Sequence, residues 1–426
     1  MIDALTPLFV AALALRGVPL PPPVLTVDDT PGAAMFTTIQ AAVDVAPAGA
    51  TIRVASGAYA GFALEGKDLA VIADAGASAT VFGVVYVSNV AADSEVLLRG
   101  LTIVGLGDPG AWLFACNGSV WIEDCTLQGT STSPQHAPGE PGLLVKSCAD
   151  VRVSRCVLQA SDGTSEVVGF VPSAGGNALD ATDSTVRLFD SLAMAGGGGQ
   201  STSALEGGDG GDAVRLVRSR VTVWGSQLHG GNGGASLGQF VGGAWICGVS
   251  GDGGHAFRAI EPPAPPSIHA LGLGLVPGSA GAKAPGPLCA GGMPGVMLYG
   301  LFESDVLHHT GPYRPFFTES PAEDGAAARI HLQGQPGDLA LVALGVPVVP
   351  FPLAGMIGSL YLLPSASVLK AGVWSAAAFD PLLVPLPQQA AGFESLRAYL
   401  QGAVVTSAGE VRLLAPATLL AIDDAI

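Results

Sequence analysis

Three stretches align without gaps and carry charge in the same place: Gly175-Gly-Asn-Ala-Leu-Asp-Ala181, Gly210-Gly-Asp-Ala-Val-Arg-Leu216 and Gly253-Gly-His-Ala-Phe-Arg-Ala259. Their polar column is Asn177, Asp212, His255, and their charged column is Asp180, Arg215, Arg258. Val214 and Leu216 are apolar and flank Arg215, so a strand here turns Arg215 away from the core. The same register turns out Asp180 and Arg258. A guanidinium offers forked donors to a carboxylate, and a neighbouring aspartate can orient it. The chemistry of such a strip is recognition of an anion, a uronate for example. The plainer alternative is a surface ion pair worth about 0–1 kcal/mol, beside polar residues that satisfy turn backbone. Trp245, in a Gly-rich loop, is the aromatic candidate for the same face, balanced against simple packing.

Such a strip needs a scaffold, and the chain repeats one. Val96–Gly105, Val120–Gly129, Val151–Ala160, Val186–Ala195 and Val221–Gly230 each alternate apolar and polar residues, turn, and resume with a short apolar strand. Aligned at the central residue, the column reads Leu101, Cys125, Cys156, Ser191, Ser226, with steps of 24, 31, 35 and 35 residues. A repeat of this kind buries its apolar face only against its neighbours, which predicts a stacked β-solenoid. Insertions at about 130–141, 161–176, 196–211 and 231–254 all follow the same strand and so leave from one corner. Glycine in them permits positive φ and close backbone stacking. Residues 261–295, dense in Pro and Gly, read as an irregular flap over the solenoid's end.

Before the repeats, Ile39, Ala42, Val43 and Ala46 fall on one helix face, with Thr37 or Thr38 as cap and Pro47 and Gly49 as stop. A solenoid needs such an end cap. Phe36, Thr38-Ile39-Gln40, Ala42, Ala46-Pro47, Gly49, Thr51-Ile52, Val54, Gly57 and Tyr59 resemble the opening of the pectin lyase-like right-handed parallel β-helices. Pectin methylesterases begin in a similar way. The resemblance implies the fold and its N-terminal cap, an opening that carries no catalytic residue in that family. Its lyases use acidic residues for calcium with an arginine or lysine base, and its methylesterases use an aspartate pair with an arginine. Neither set transfers residue by residue: Asp180, Asp183 and Asp190 lie on different segments of one coil, and no strand carries the clustered aspartates of a calcium site.

The expected fold class is all-β. It comprises a leader-like, Pro-rich segment (1–29), a right-handed parallel β-helix with a capping helix (30–300), a connector (301–325) and a small C-terminal β-sandwich (326–426). Seven or so short apolar strands from residue 326 onward carry the last assignment. The stretch from Leu386 to Leu420 resembles a C-terminal β-module of secreted bacterial proteins. Residues 4–15 resemble a signal-peptide core without the usual preceding positive charge, and are too short to span a bilayer.

Charged residues are 12% of the chain and its net charge is −17, which repels phosphate backbones and excludes nucleic acid as the expected partner. The six cysteines form no metal-spaced cluster. Stacked rungs about 4.8 Å apart bring Cα atoms within the disulfide window of about 4.4–6.8 Å. Cys125–Cys156 and Cys116–Cys148 are therefore candidate bridges, with reduced core thiols as the alternative, and Cys247–Cys289 would pin the flap to the last loop. Gly207–Asp212 carries a trace of calcium-binding Gly/Asp repeats but lacks their nine-residue period, so no cofactor is expected, with calcium as the alternative. Location is expected to be extracellular or at the cell surface. Three functions fit: a non-catalytic scaffold presenting its loops and outer face to an acidic polysaccharide or surface polymer, ranked first; a polysaccharide lyase or esterase with a divergent site; and a self-associating subunit of an extracellular assembly.

Overall fold

The computed structural model describes residues 23–131, 138–166, 171–203, 205–242, 244–246, 248–263, 268–283, 289–301, 306–308, 316–318, 322–323, 327–332, 337–345, 347–352, 356–357, 359–362, 367–373, 382–385 and 395–422. The chain divides into two compact units, one of residues 26–45 and 52–313, the other chiefly residues 314–426.

In the first unit each repeat becomes part of a three-stranded coil. One coil runs through Ala111–Phe114, Ser119–Glu123 and Thr126–Gln128. Each strand pairs in parallel with its counterpart in the next coil, at Leu143–Lys146, Asp150–Ser154 and Val157–Gln159. Three vertical ladders result, here called first, second and third in chain order. The second is a ten-stranded sheet. The first and third are two arms of one 14-stranded sheet that meet in the long strand Ala79–Ser88, whose first half pairs Leu101–Val104 and whose second half pairs Ala111–Phe114. The fold is a right-handed parallel β-helix. Leu127, Leu158, Ala193 and Leu228, the middle residues of third-ladder strands, are completely buried, so the period-2 alternation sets which side faces the core.

The helix Ile39–Val45 forms where the periodicity predicts it, with Ile39, Ala42 and Val43 buried. Thr38 caps it, accepting the Ala41 N–H at 3.3 Å, and Gln40 Oε1 ties it to the coil by accepting the Ala63 N–H at 2.7 Å.

The turn between second and third ladders needs one left-handed residue. Asp124, Arg155 and Asp190 adopt φ of 54°, 53° and 48°, and Gly100, Gly225 and Gly272 stand at the same place in other coils. The next residue in each coil forms the column read from sequence. Cys125 N–H donates to Cys156 Sγ (3.4 Å), Cys156 N–H to Ser191 Oγ (3.0 Å) and Ser191 N–H to Ser226 Oγ (3.1 Å). A second ladder of the same kind links Cys148 to Ser184 and Ser184 to Ser219, at 3.0 Å each.

These ladders correct the disulfide expectation for the core cysteines. Cys116, Cys125, Cys148 and Cys156 are free and buried. Both columns continue as serines in later coils, and each thiol donates to the carbonyl two residues back, as Cys125 does to Glu123 and Cys156 to Ser154, both at 3.2 Å. Each thiol is thereby satisfied in its reduced form. Iodoacetamide should therefore leave all four unmodified in native protein and modify all four in guanidinium without reductant. A requirement for reductant would contradict this. Cys289 is disulfide-bonded, and Cys247 lies outside the described residues.

Residues 261–295 are not simply an irregular flap. Ile268–Leu271 continues the second ladder and Gly274–Val276 the third, so this stretch contains another coil. Val306–His308 extends the second ladder further, past the expected boundary at 300.

The Gly-rich insertions are ordered against one another. Outgoing segments 196–201, 231–236 and 278–283 lie beside returning segments 173–176, 208–211, 251–254 and 292–295. Gly196 N–H donates to Gly176 O, Gly211 to Gly196, Gly231 to Gly211, Gly254 to Gly231, Gly278 to Gly254 and Gly295 to Gly278, all at 2.8–3.0 Å. A parallel series runs through Gly199, Gly208, Gly234, Gly251 and Gly281. Contacts recur every third residue, the repeat of a polyproline II turn. None of these glycines has positive φ. They are glycine because a Cβ on Gly208 or Gly211 would collide with the Ser173 or Gly176 carbonyl oxygen, and one on Gly251 or Gly254 with the Gly208 or Gly211 oxygen. Polar side chains at outward third positions tie the segments together: Asp209 Oδ1 accepts the Asp252 N–H, Asp252 Oδ1 the Met293 N–H, and Asn232 Oδ1 the Ser279 N–H. The result is a fin standing on the edge between the first and third ladders.

In the second unit Phe316–Thr318, Ala327–Leu332 and Leu382–Pro385 form a three-stranded sheet. Ala322–Glu323, Met356–Ile357, Val411–Ile422, Ser395–Val405, Leu339–Gly345 and Ser367–Val373 form a six-stranded one. Phe316, Ile330 and Leu332 from the first share one core with Val342, Leu400, Val404 and Leu414 from the second.

Candidate functional site

The first ladder carries the strip. Asp180 pairs in register with Arg215, Arg215 with Arg258, and Arg258 with Tyr299. Buried residues alternate with partly exposed ones along each strand, and the charged residues are on the exposed side. Below Asp180 the column continues through Leu144, Trp112 and Tyr86.

The returning fin segments end at Asn177, Asp212 and His255, and these three stack by hydrogen bonding. Asn177 Oδ1 accepts the Asp212 N–H at 2.9 Å, Asp212 Oδ1 accepts the His255 N–H at 2.8 Å, and His255 Nδ1 accepts the Val296 N–H at 3.0 Å. The stack joins the charged column at two places. Asn177 Nδ2 donates to Asp180 Oδ2 at 3.1 Å, and the second Asp212 oxygen lies 3.6 Å from Arg258 Nη1. Arg215 Nη1 donates to both Asp180 oxygens, at 3.0 and 3.3 Å. His255 stacks on Tyr299 with ring centroids 4.4 Å apart, and the Arg258 guanidinium lies 5.4 Å from the same Tyr299 ring.

Unused donors distinguish the two arginines from ordinary surface ion pairs. Among the described residues, Arg215 uses only Nη1. Among the same residues the Arg258 side chain makes the 3.6 Å ion pair, leaves its buried Nε–H without a partner and forms no hydrogen bond. Their side chains are 34% and 40% exposed, so both are open to solvent in part. A carboxylate bridging the two guanidinia, one rung or about 4.8 Å apart, would satisfy them.

Burial pushes the Asp212 carboxyl above the usual carboxylate range, against the opposing pull of the His255 N–H and of the His255, Arg258 and Arg215 charges. Burial also pushes the His255 imidazole down, with Asp212 opposing and Arg258 assisting. Because Nδ1 accepts the Val296 N–H, the neutral ring carries its proton on Nε2. Protonation at Nδ1 breaks that bond. For a histidine with depressed pKa, stability is present above its unfolded value of about 6.5 and is lost as pH falls through the folded value. NMR titration should give His255 a pKa below that of a model peptide; a value above it would contradict this environment.

Six of the seven binding residues expected from sequence thus lie together. The seventh, Trp245, pairs with Phe240 in the short hairpin Gln239–Val241/Ala244–Ile246, and its side chain lies outside the described residues. Sequence reading missed Tyr299 and Trp112. Tyr299 follows a glycine-poor copy of the repeat (Gly295-Val-Met-Leu-Tyr-Gly300), which hides the register that placed Arg258. Among the described residues no three His, Cys, Asp or Glu side chains are grouped to hold a metal ion, and no helix is long and apolar enough to cross a membrane.

No protein-family model matches the chain, and no curated protein sequence matches it. Solved structures similar to it include a pectate lyase, Pel9A, at 13% identity over 58% of this chain and 78% of that one, with a TM-score of 0.29. Another is the enzymatically active domain of tailspike protein 2 of bacteriophage CBA120, at 10% identity over 84% of this chain and 63% of that one, with a TM-score of 0.23. The register of the parallel strands by itself defines the β-helix.

Proposed function

We propose that this protein is a β-helix scaffold that binds an acidic polysaccharide along the outer face of its first ladder. One observation carries the reading: Arg215 and Arg258 are stacked one rung apart with most of their donors unused, in a chain of net charge −17. Asp180 orients the first guanidinium, and the Asn177–Asp212–His255 stack holds the second column at the foot of the fin. The fin walls one side of the strip. Disulfide-bonded Cys289 supports a location outside the reducing cytosol, at the cell surface or beyond it.

The test is retention on immobilised polygalacturonate at low ionic strength. Wild type should be retained and the Arg215→Ala/Arg258→Ala variant should elute freely. Charge-assisted hydrogen bonds are worth about 1.5–3 kcal/mol each, so a loss of at least about tenfold is expected. No retention of wild type, or equal retention of both, would overturn the reading. A divergent lyase or esterase is favoured by one feature, the raised Asp212 carboxyl beside two arginines. Release of unsaturated product or methanol from the same polymers separates that activity from binding alone.

A further inference from the structure

The opposite side of the fin holds a cavity that shares no residue with the strip. On the third ladder Gln128 pairs in register with Gln159, so two carboxamides project outward one rung apart. They floor a cavity of about 350 Å³ walled by Ser131, Ser161, Asp162 and Thr164. Neither carboxamide has a hydrogen-bond partner among the described residues. The Ser131 hydroxyl oxygen is buried and also without one. Ser161 Oγ accepts the Glu140 N–H at 2.7 Å, which leaves its proton to donate, and Asp162 Oδ1 accepts the Gly197 N–H at 2.7 Å, which leaves its other oxygen open.

Each free carboxamide offers two donors and an acceptor, and each hydroxyl offers both kinds. That set calls for a ligand whose closely spaced groups donate and accept in turn. Vicinal hydroxyls do so. The Asp162 carboxylate accepts only and repels an anion, and the lining contains no Lys, Arg, His or aromatic side chain. Phosphates, uronates and flat aromatic ligands are therefore poor fits. The volume sits at the low end of ligand pockets, about 300–1,000 Å³, which suits one sugar ring.

We propose that this cavity binds a single neutral sugar ring, with Gln128 and Gln159 each taking a pair of its hydroxyls. The site is independent of the acidic strip, and the two face opposite sides of the fin. The ring has two sources, a free monosaccharide or the terminal residue of a glycan, and both share this chemistry.

Saturation-transfer NMR and titration calorimetry on the full chain test it. The probes are glucose, galactose, mannose and N-acetylglucosamine, each free and as the non-reducing end of a trisaccharide, with glucuronate as the charged control. At least one neutral sugar should bind. Affinity for the free sugar equal to that for the trisaccharide identifies the monosaccharide as ligand, and at least tenfold tighter trisaccharide binding identifies the glycan end. Gln128→Ala/Gln159→Ala should weaken binding at least tenfold, and Gln159→Met, which keeps volume but removes the hydrogen bonds, should weaken it with the melting temperature unchanged. Arg215→Ala/Arg258→Ala should leave it intact. Binding by none of the neutral probes, equal binding of glucuronate, or undiminished binding by Gln159→Met would each overturn the proposal.

Discussion

Alanine at Gly199 should destabilise the fin, while alanine two residues earlier, at Gly197, should be nearly silent. The four glycines Gly196–Gly199 look interchangeable in sequence. In the structure, a Cβ on Gly196, Gly198 or Gly199 would collide with the carbonyl oxygen of Ser161, Gly208 or Thr164. One on Gly197 would sit 3.5 Å from Asn232 O and Asp162 Oδ1, ordinary contact. Backbone cannot move aside as a side-chain tip can. Overpacking typically costs about 1–3 kcal/mol, and valine at Gly208 or Gly211 should exceed that, since each would meet a carbonyl that already accepts the N–H of another fin glycine. Gly197→Ala should stay within about 0.5 kcal/mol. Hydrogen exchange locates the damage: Gly199→Ala should strip protection from the Gly208 and Gly234 amides, which lie along one chain of hydrogen bonds. Equal effects at Gly197 and Gly199 would contradict the packing described.

Removing the carboxylate of Asp150 should cost about 3–5 kcal/mol, the usual penalty for breaking a buried ion pair from one side. Asp150 binds Arg152 at 2.6 Å, accepts Ser119 Oγ–H at 2.9 Å and pairs with Arg187 on the next coil. All three charged residues are buried although they point away from the core. Burial opposes ionisation of Asp150, but the Arg152 and Arg187 charges outweigh it and hold the carboxyl below the usual range. A depressed carboxylate gives stability that is present above its unfolded pKa, about 3.9, and is lost as pH falls through the folded value. Asp124 has the same sign: burial raises its pKa, but Arg155 and Arg99 lower it further. Denaturant unfolding should show Asp150→Ala destabilised at pH 7, with the gap from wild type closing as pH drops well below 4. A gap under about 1 kcal/mol at pH 7 would contradict the cluster's role.

The coils were legible because period-2 alternation and stacked small residues are local signals, and the structure pairs Thr126 with Val157 as that column requires. The charged column was legible for the same reason, since three copies of Gly-Gly-polar-Ala fix its register. The fin was legible only in part. Glycine suggested both positive φ and close backbone stacking without deciding between them, whereas the three-residue period (Gly207-Gly-Asp-Gly-Gly-Asp212) was the signal of close-packed extended chains. The redox state of the core cysteines stayed open in the sequence because spacing gives Cα separation alone, which a bridge and a reduced stacked pair share. The coil at 268–276 was obscured by the Pro- and Gly-dense sequence on either side of it, although Gly272-Leu273 repeats the Gly100-Leu101 pair. Gln128 and Gln159 gave no sequence signal, because stacked carboxamides matter only once the fin encloses them.

The central claim concerns carboxylates, so the most direct measurement compares one oligosaccharide with and without them. Titration calorimetry with a short polyuronate and with its fully methyl-esterified form holds sugar, linkage and length constant. The stacked guanidinia predict that wild type binds the acid, that esterification abolishes binding, and that Arg215→Ala/Arg258→Ala binds neither. Equal affinity for acid and ester, or undiminished binding by the double variant, would contradict it.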